Sequence, residues 1–487
     1  MEDAEDSFRD LYTWLKARRR SDVDARDTRA GFVRQFTPEH ALTPRGLLRA
    51  LIWVLVRGLC QGALASAIAE PWQDTRAIMS TWKQQKESFV SDHDGGGLIE
   101  LVAVAAVVPL CCGARLRLHR WGDTTSVKLA KDAVLLVAPI AASITIGADY
   151  LPALFLALAA IALATQRQQT THTHVIRLFR ACQAVFTGIC ILAVDFQAFP
   201  RRFCKTETYG FSLMDMGVGS FVVGNALTSR CARGLQWRPR RILPLIALGL
   251  VRLATVKASG YPEHVTEYGV HWNAFFTLAV VDLCDGLACF LELGSVGLMG
   301  AAAVIAHASH YFVDAAYVLS DAPRDSLFSA NREGITSAFG YAAIFYASAA
   351  IFDFFLVRDH PPQRWQRPTA LACVSASFLA DTYLAGSPSR RVANKQFVLL
   401  CLGFNGWILA LCAVCATGAL RGVVLVVADA NLLHWFLAAN VTTGVFNFAV
   451  DSMRVPSWLA VAALVAKTFV DAFLVQTATA EMRLKES

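Results

Sequence analysis

"LFRACQAVFTGICILAVDFQAFPRRFCKTETYGF", residues 178–211, begins as a membrane helix and ends as a charged loop. Residues 181–194 carry no charge, and then Asp195, Arg201, Arg202, Lys205 and Glu207 follow within thirteen positions. The same alternation of apolar run and short polar connection extends over most of the 487 residues, of which 55% are hydrophobic and 17% charged. Mean hydropathy is +0.43, whereas a soluble domain carries about 25% charged residues. One or two water-soluble cores cannot hide that much apolar surface. The composition therefore predicts an all-α polytopic membrane protein.

A helix crossing the hydrocarbon core needs about 20 mostly apolar residues. Thirteen candidate spans can be marked, near 97–113, 130–147, 150–166, 178–196, 211–228, 241–258, 272–291, 296–317, 334–357, 369–386, 397–416, 422–445 and 457–478. With short connections and no internal repeat, they are expected to form a single integral domain over 79–487. Residues 1–78 form an N-terminal extension. Its apolar stretch "GLLRALIWVLVRGLCQGALASAIA" (46–69) contains Arg49 and Arg57. An arginine at a span centre costs about 2.5–3.5 kcal/mol, so 46–69 reads as an interfacial helix or as an additional span.

Lys and Arg set the orientation. The odd-numbered connections, together with the C-terminal tail, hold about 19 basic residues against about 10 in the even-numbered ones. The first set is expected in the cytosol with the C-terminus. The second set, which includes the 195–207 loop, is expected on the lumenal side. Arg201, Arg202 and Lys205, and likewise Arg390, Arg391 and Lys395, are thus clustered where the insertion rule disfavours them.

Other classes find little support. The net charge of +7 is modest, and its basic N-terminal stretch has interleaved acids and no aromatic platform, which argues against nucleic-acid binding. Most of the 13 cysteines lie in apolar runs, where the thiol behaves as a small hydrophobe. No CxxC pairing has the spacing of a zinc site, so no metal is expected. The polar, acidic start is not a cleavable signal peptide, and a transmembrane segment is expected to direct insertion.

Two readings fit the 195–207 loop. A carboxylate at a membrane boundary is partly desolvated and can act as a general base towards a hydroxyl. A nearby lysine can then stabilise negative charge developing on an acyl carbonyl. That pair suits acyl transfer from a thioester to an alcohol without a metal. The alternative is an ion pair that anchors the helix end.

Further polar residues gather on the same side: His271 and Asn273 at one span start, Asn331, Arg332 and Glu333 at another, and Asn440 and Asn447 within the twelfth. Asp215 and Asn225 lie in the 211–228 span, beside Gly217, Gly219 and Gly224. Intramembrane polar groups usually face partners or a cavity, so together these favour a polar pocket. Such a pocket would also serve a lipid or small-molecule transporter or scramblase. His307 and His310, in "AHASHYF", are the residues a histidine-dependent O-acyltransferase would use.

"VDFQAFPRRFCKTETYGFSLMDMGVGSFVVGNAL" (194–227) resembles the signature of the glucosaminyl-phosphatidylinositol inositol acyltransferases of GPI-anchor biosynthesis, the PIG-W family. "MSTWKQQKESFVSDHDGGG", "EYGVHWNAFFTLA", "SANREGI", "SRRVANK" and "NVTTGVFNFAVD" are similar to its other motifs, so the likeness covers residues 79–478. The resemblance implies thirteen spans in the endoplasmic reticulum membrane. It also implies transfer of a fatty acyl group, usually palmitoyl from palmitoyl-CoA, to the inositol 2-hydroxyl of glucosaminyl-phosphatidylinositol, with acyl-CoA as co-substrate and no resident cofactor. The family's proposed catalytic aspartate and lysine map onto Asp195 and Lys205. Arg201, Arg202 and Glu207 match motif positions without an assigned role, and with Asp215, Asn225, His271, Asn273, Asn331, Arg332 and Asn440 they are candidates for substrate contact. The family begins near Met79, so residues 1–78 inherit no role.

Overall fold

A computed structural model describes residues 93–118, 124–151, 171–259, 265–352, 366–416 and 420–486, with Gln85, Ser88 and Phe89. Residues 1–78 and the expected 150–166 span, apart from its first two positions, lie outside them. The described chain is helical, and its one β-type contact is an isolated bridge between Gly95 and Phe211.

The helices follow the apolar runs. In chain order they are α1 (Leu98–Arg117), α2 (Thr125–Asp132), α3 (Ala138–Ser143), α4 (His172–Ala193), α5 (Met216–Ala226), α6 (Ile242–Ser259), α7 (Val265–Tyr268), α8 (Ala274–Phe290) and α9 (Ser295–Phe312). After these come α10 (Ala315–Leu319), α11 (Leu327–Ala330), α12 (Arg332–Phe352), α13 (Gln366–Ala385), α14 (Lys395–Cys415), α15 (Val423–Ala430), α16 (Leu432–Ala449) and α17 (Ser457–Glu486).

Among the described residues, five helices are long and apolar enough to cross a membrane: α1, α4, α12, α14 and α17. α15 and α16 qualify only together, and they bend by 110° at their junction. Among the described residues the structure thus supports five or six spans by length and composition, which does not confirm the thirteen expected. Several apolar runs are divided or short. A π-helical turn at Ala133–Val137 separates α2 from α3, and α5 has 11 residues. Helical backbone satisfies its own N–H and C=O groups, so a break is tolerated at membrane depth only where protein or a wet cavity meets the freed groups.

α14 lies at the centre, against α13, α1, α12 and α4, and α4 also packs on α15, α16 and α17. The outward faces of α6, α8 and α9 expose Leu250, Val251, Leu287, Phe290, Val296 and Val304, as lipid-facing helices do. Buried acids near the helix ends serve as anchors. Asp132 pairs with Arg115 at 2.5 Å and accepts from the Val423 and Val424 N–H groups. Asp285 accepts from Ser229 Oγ and from the N–H groups of Arg230 and Cys231.

Three loops meet at one end of the bundle. Gly96 N–H donates to Phe211 O at 3.0 Å, and Gly210 N–H donates to Pro388 O at 2.9 Å. Gly95 has φ +89°, and a Cβ there would lie 2.2 Å from Phe211 O, so only glycine permits this approach.

Candidate active site

α4 ends at Ala193, two residues before Asp195, its last carbonyls closed by the N–H groups of Val194, Asp195 and Phe196, and Arg201 gathers the carbonyls that follow. That guanidinium donates to Val194 O, Phe196 O and Phe199 O at 2.7–3.2 Å and stacks 4.0 Å from the Phe89 ring centre. A helix C-terminus carries partial negative charge that disfavours a neighbouring carboxylate, and Arg201 offsets it. Asp195 is thereby held at the end of α4, only 7% exposed. Its Oδ2 accepts a hydrogen bond from Asn447 Nδ2 of α16 at 2.7 Å. Phe446 stands edge-on to Phe196 at 5.6 Å and seats the two segments together.

Lys205 is held by a different element. Its Nζ lies 2.7 Å from Glu267 Oε1 on α7. Arg390 approaches the same carboxylate at 3.6 Å and bonds Asp215 through Nε at 2.9 Å. Asp215 completes the circuit by accepting from Thr206 N–H and Oγ1. Burial works against ionisation of Glu267, but the Lys205 and Arg390 charges outweigh it and hold the carboxyl at about 2.

Asp195 and Lys205 are held by different elements. Each is gripped by its own partner, Asn447 for the carboxylate and Glu267 for the ammonium. Between them in sequence lies Cys204. Burial first, and then the Asp215 and Asp195 charges, push its thiol up, while Arg201 and Lys205 pull it down, leaving it at about 11. One buried thiol therefore senses both candidate catalytic charges.

Beside this end of α4 lies an apolar cavity of about 70 Å³. Thr187, Cys190 and Ile191 of α4 line it, with Leu213, Met216 and Gly217 next to Asp215. Gln183 in its wall is satisfied by Ser220 O and Asn405 Oδ1.

Most of the other expected site residues are engaged by the protein itself. Arg202 forms partly exposed ion pairs with Glu100 and Asp149, both at 2.8 Å. Glu207 offers its backbone carbonyl to Arg391. Asn225 is exposed at the end of α5. Asn331 receives the N–H groups of His271 and Trp272, and its amide lies 3.4 Å from His271 Nδ1. Asn273 caps α8 and donates to Gly249 O. Arg332 is fully buried and donates to Ala322 O and Ser320 O. Asn440 is exposed and bonds Phe436 O of its own helix. His307 is exposed on α9, and the His310 side chain lies outside the described residues.

Sequence reasoning did not select Glu267 or Arg390 for the site, although both stand in polar motifs it had noted. It overlooked Lys467 and Asp471 altogether. These two form a buried ion pair at 2.7 Å within α17, with Lys467 also reaching Gly188 O of α4 and Asp471 accepting from Thr442 of α16. Their signal was present as two opposite charges at i and i+4 in an apolar run.

Comparison with known proteins identifies the family of the chain. The GWT1 family model matches residues 82–478. GPI-anchored wall transfer protein 1 of Aspergillus oryzae is 32% identical, covering 80% of this chain and 95% of its own length. The protein from Bos taurus named glucosaminyl-phosphatidylinositol-acyltransferase PIGW is 28% identical over 76% of this chain and 93% of its own. An Arabidopsis thaliana relative of uncharacterised function is 34% identical over 60% of the chain. The match takes in the Asp195–Lys205 loop and the segments that grip it, α7 and α16, and the chain belongs to the GWT1 family.

Proposed function

We propose that this protein is the inositol O-acyltransferase of GPI-anchor biosynthesis, transferring a fatty acyl group to glucosaminyl-phosphatidylinositol. The acyltransferase relative named for that lipid supports the reading. The donor is acyl-CoA, with palmitoyl-CoA as the expected form, and the acceptor is the inositol 2-hydroxyl. The site of action is the endoplasmic reticulum membrane, with thirteen spans, the Asp195–Lys205 loop towards the lumen and the C-terminus in the cytosol. Residues 1–78 remain an extension outside the acyltransferase domain.

The observation that carries the mechanism is the Asp195–Asn447 bond at the end of α4. An amide N–H oriented on one carboxylate oxygen fixes the plane of the carboxylate for proton abstraction. Asp195 takes the proton from the hydroxyl as its oxygen attacks the thioester carbonyl. The carbonyl oxygen becomes an oxyanion, and Lys205 stabilises that charge. Collapse of the tetrahedral species breaks the C–S bond and expels the CoA thiolate. The thiolate receives the proton from Asp195, so the base is regenerated and the products are ester and free thiol. The apolar cavity beside Met216 and Gly217 takes the acyl chain, its lining opening as the chain enters.

The test is acyl transfer by the purified protein with glucosaminyl-phosphatidylinositol and a panel of acyl-CoAs. Asp195→Asn and Lys205→Ala should each lower kcat by a factor on the order of 10² or more while the protein still accumulates in the membrane. Wild-type rates in both variants would refute the assignment. Retained transfer by His307→Ala and His310→Ala separates this mechanism from a histidine-dependent one. A transporter or scramblase using the same polar groups would move lipid without consuming acyl-CoA, which the same assay reads.

A further inference from the structure

The orientation of the Asn447 amide is fixed by chemistry. A carboxylate only accepts, so the Asn447 NH₂ must face Asp195 and its Oδ1 must face away. That oxygen is buried and has no hydrogen-bond partner. One helical turn earlier on the same face of α16, Thr443 Oγ1 is also buried without a partner. Both residues are 5% exposed.

Trp435 Nε1 is a third such group on α16, a donor two turns before Thr443, whereas the other polar side chains around the pair find partners. Asn440 bonds Phe436 O, and Thr442 bonds both Ala438 O and Asp471. Thr443 has the same choice of a carbonyl four residues back and does not take it. A buried acceptor left open loses its hydration and gains nothing in return, so two on one face, ending at Asp195, mark a place for an outside donor.

From these we infer that Asn447 Oδ1 and Thr443 Oγ1, with Asp195, form a subsite that reads adjacent hydroxyls on one ring and so selects which hydroxyl is acylated. The inference rests on Asp195 being the base of the proposed reaction. Asn447 Oδ1 accepts only, so its ligand must be a hydroxyl or another N–H or O–H donor. It sits on the same amide carbon as the nitrogen that touches Asp195. A group bonded to it is therefore next to the group whose proton Asp195 takes. Two neighbouring ring hydroxyls satisfy both acceptors at once, whereas a lone alcohol on an apolar chain leaves Asn447 open. A site built to bond a hydroxyl discriminates strongly against an analogue lacking it. Thr443, which can donate or accept, meets a further ring oxygen.

The experiment compares glucosaminyl-phosphatidylinositol with its analogue lacking the hydroxyl adjacent to the acylated one, in the full-length enzyme. Wild type should lose about tenfold or more in kcat/KM on the deoxy lipid. In Asn447→Leu, overall activity falls, but native and deoxy lipids should be used within about twofold of each other, because the contact that told them apart is gone. A role confined to orienting Asp195 would slow both lipids equally and leave the wild-type ratio intact, and that result overturns the inference. Should Asn447→Leu fail to accumulate, Thr443→Val carries the test. It is close in shape and removes no hydrogen bond to Asp195, and it should raise KM for the native lipid about threefold or more with kcat within about twofold. An unchanged KM in Thr443→Val overturns the inference equally. If Asp195→Asn retains full activity, the failure belongs to the proposed mechanism. If that variant is inactive while the deoxy ratio persists in Asn447→Leu, the failure belongs to the subsite alone.

Discussion

Replacing Glu267 with Gln removes the charge that holds Lys205 without changing the shape of the side chain. Glu267 sits 2.7 Å from Lys205 Nζ and 3.6 Å from Arg390. Its carboxyl falls from an ordinary 4.5 to about 2, which corresponds to about 3 kcal/mol favouring the ionised form. The Lys205 side chain is 37% exposed, so solvent screening reduces the contribution to stability to about 1–2 kcal/mol. The pH dependence follows from the depressed value. The contribution is complete above about 4.5, fades as pH falls towards about 2, and is absent below that. Wild type in detergent should therefore lose stability through this window, whereas Glu267→Gln is already less stable at pH 7 and lacks this component of the acid loss. In the acylation assay at pH 7, a freed Lys205 should lower kcat by about tenfold, since about 1.4 kcal/mol of lost stabilisation is one factor of ten, with KM for the acyl donor little changed. Wild-type kcat together with an unaltered melting profile between pH 5 and 2 would refute the idea that Glu267 positions Lys205.

Gly217 lines the apolar cavity, and a Cβ built there meets nothing within 4 Å. Gly217→Leu should therefore fold normally and shift preference among acyl-CoAs towards shorter chains, read as the ratio of rates across the panel. Lys467→Met leaves Asp471 buried without its partner and should destabilise by about 3–5 kcal/mol. Adding Asp471→Leu should recover most of that loss in thermal unfolding. Arg201→Met strips donors from the Val194, Phe196 and Phe199 carbonyls that follow α4 and should cost about 3 kcal/mol. Its loss of activity should track loss of folded protein, in contrast to the Lys205 variant.

The sequence was most informative where chemistry is local. Scarce charge and long apolar runs required an all-helical membrane protein, because only helices and closed barrels satisfy their backbone in lipid. The family motif picked out Asp195 and Lys205, and the structure places them on one loop, 7% exposed in the case of Asp195. The number of spans was less legible. A hydropathy window counts an apolar run as a crossing, yet it cannot see the 110° bend between α15 and α16 or the π-helical turn after Asp132.

The partners of the two central charges were hidden for a different reason. Asn447 lies 252 residues from Asp195, and Glu267 lies 62 residues from Lys205. No periodicity links positions so far apart; only the packing of α16 on α4, and of α7 beside the 201–215 loop, brings them together. Arg201 shows the same limit in reverse, since its motif position is plain in sequence but its work on the carbonyls of Val194, Phe196 and Phe199 is not. Composition and motif determined the solvent and the helices and singled out the pair proposed to react. Tertiary structure alone decided which neutral amide or carboxylate holds each charge, because electrostatic interactions depend on distance in space and not on distance along the chain.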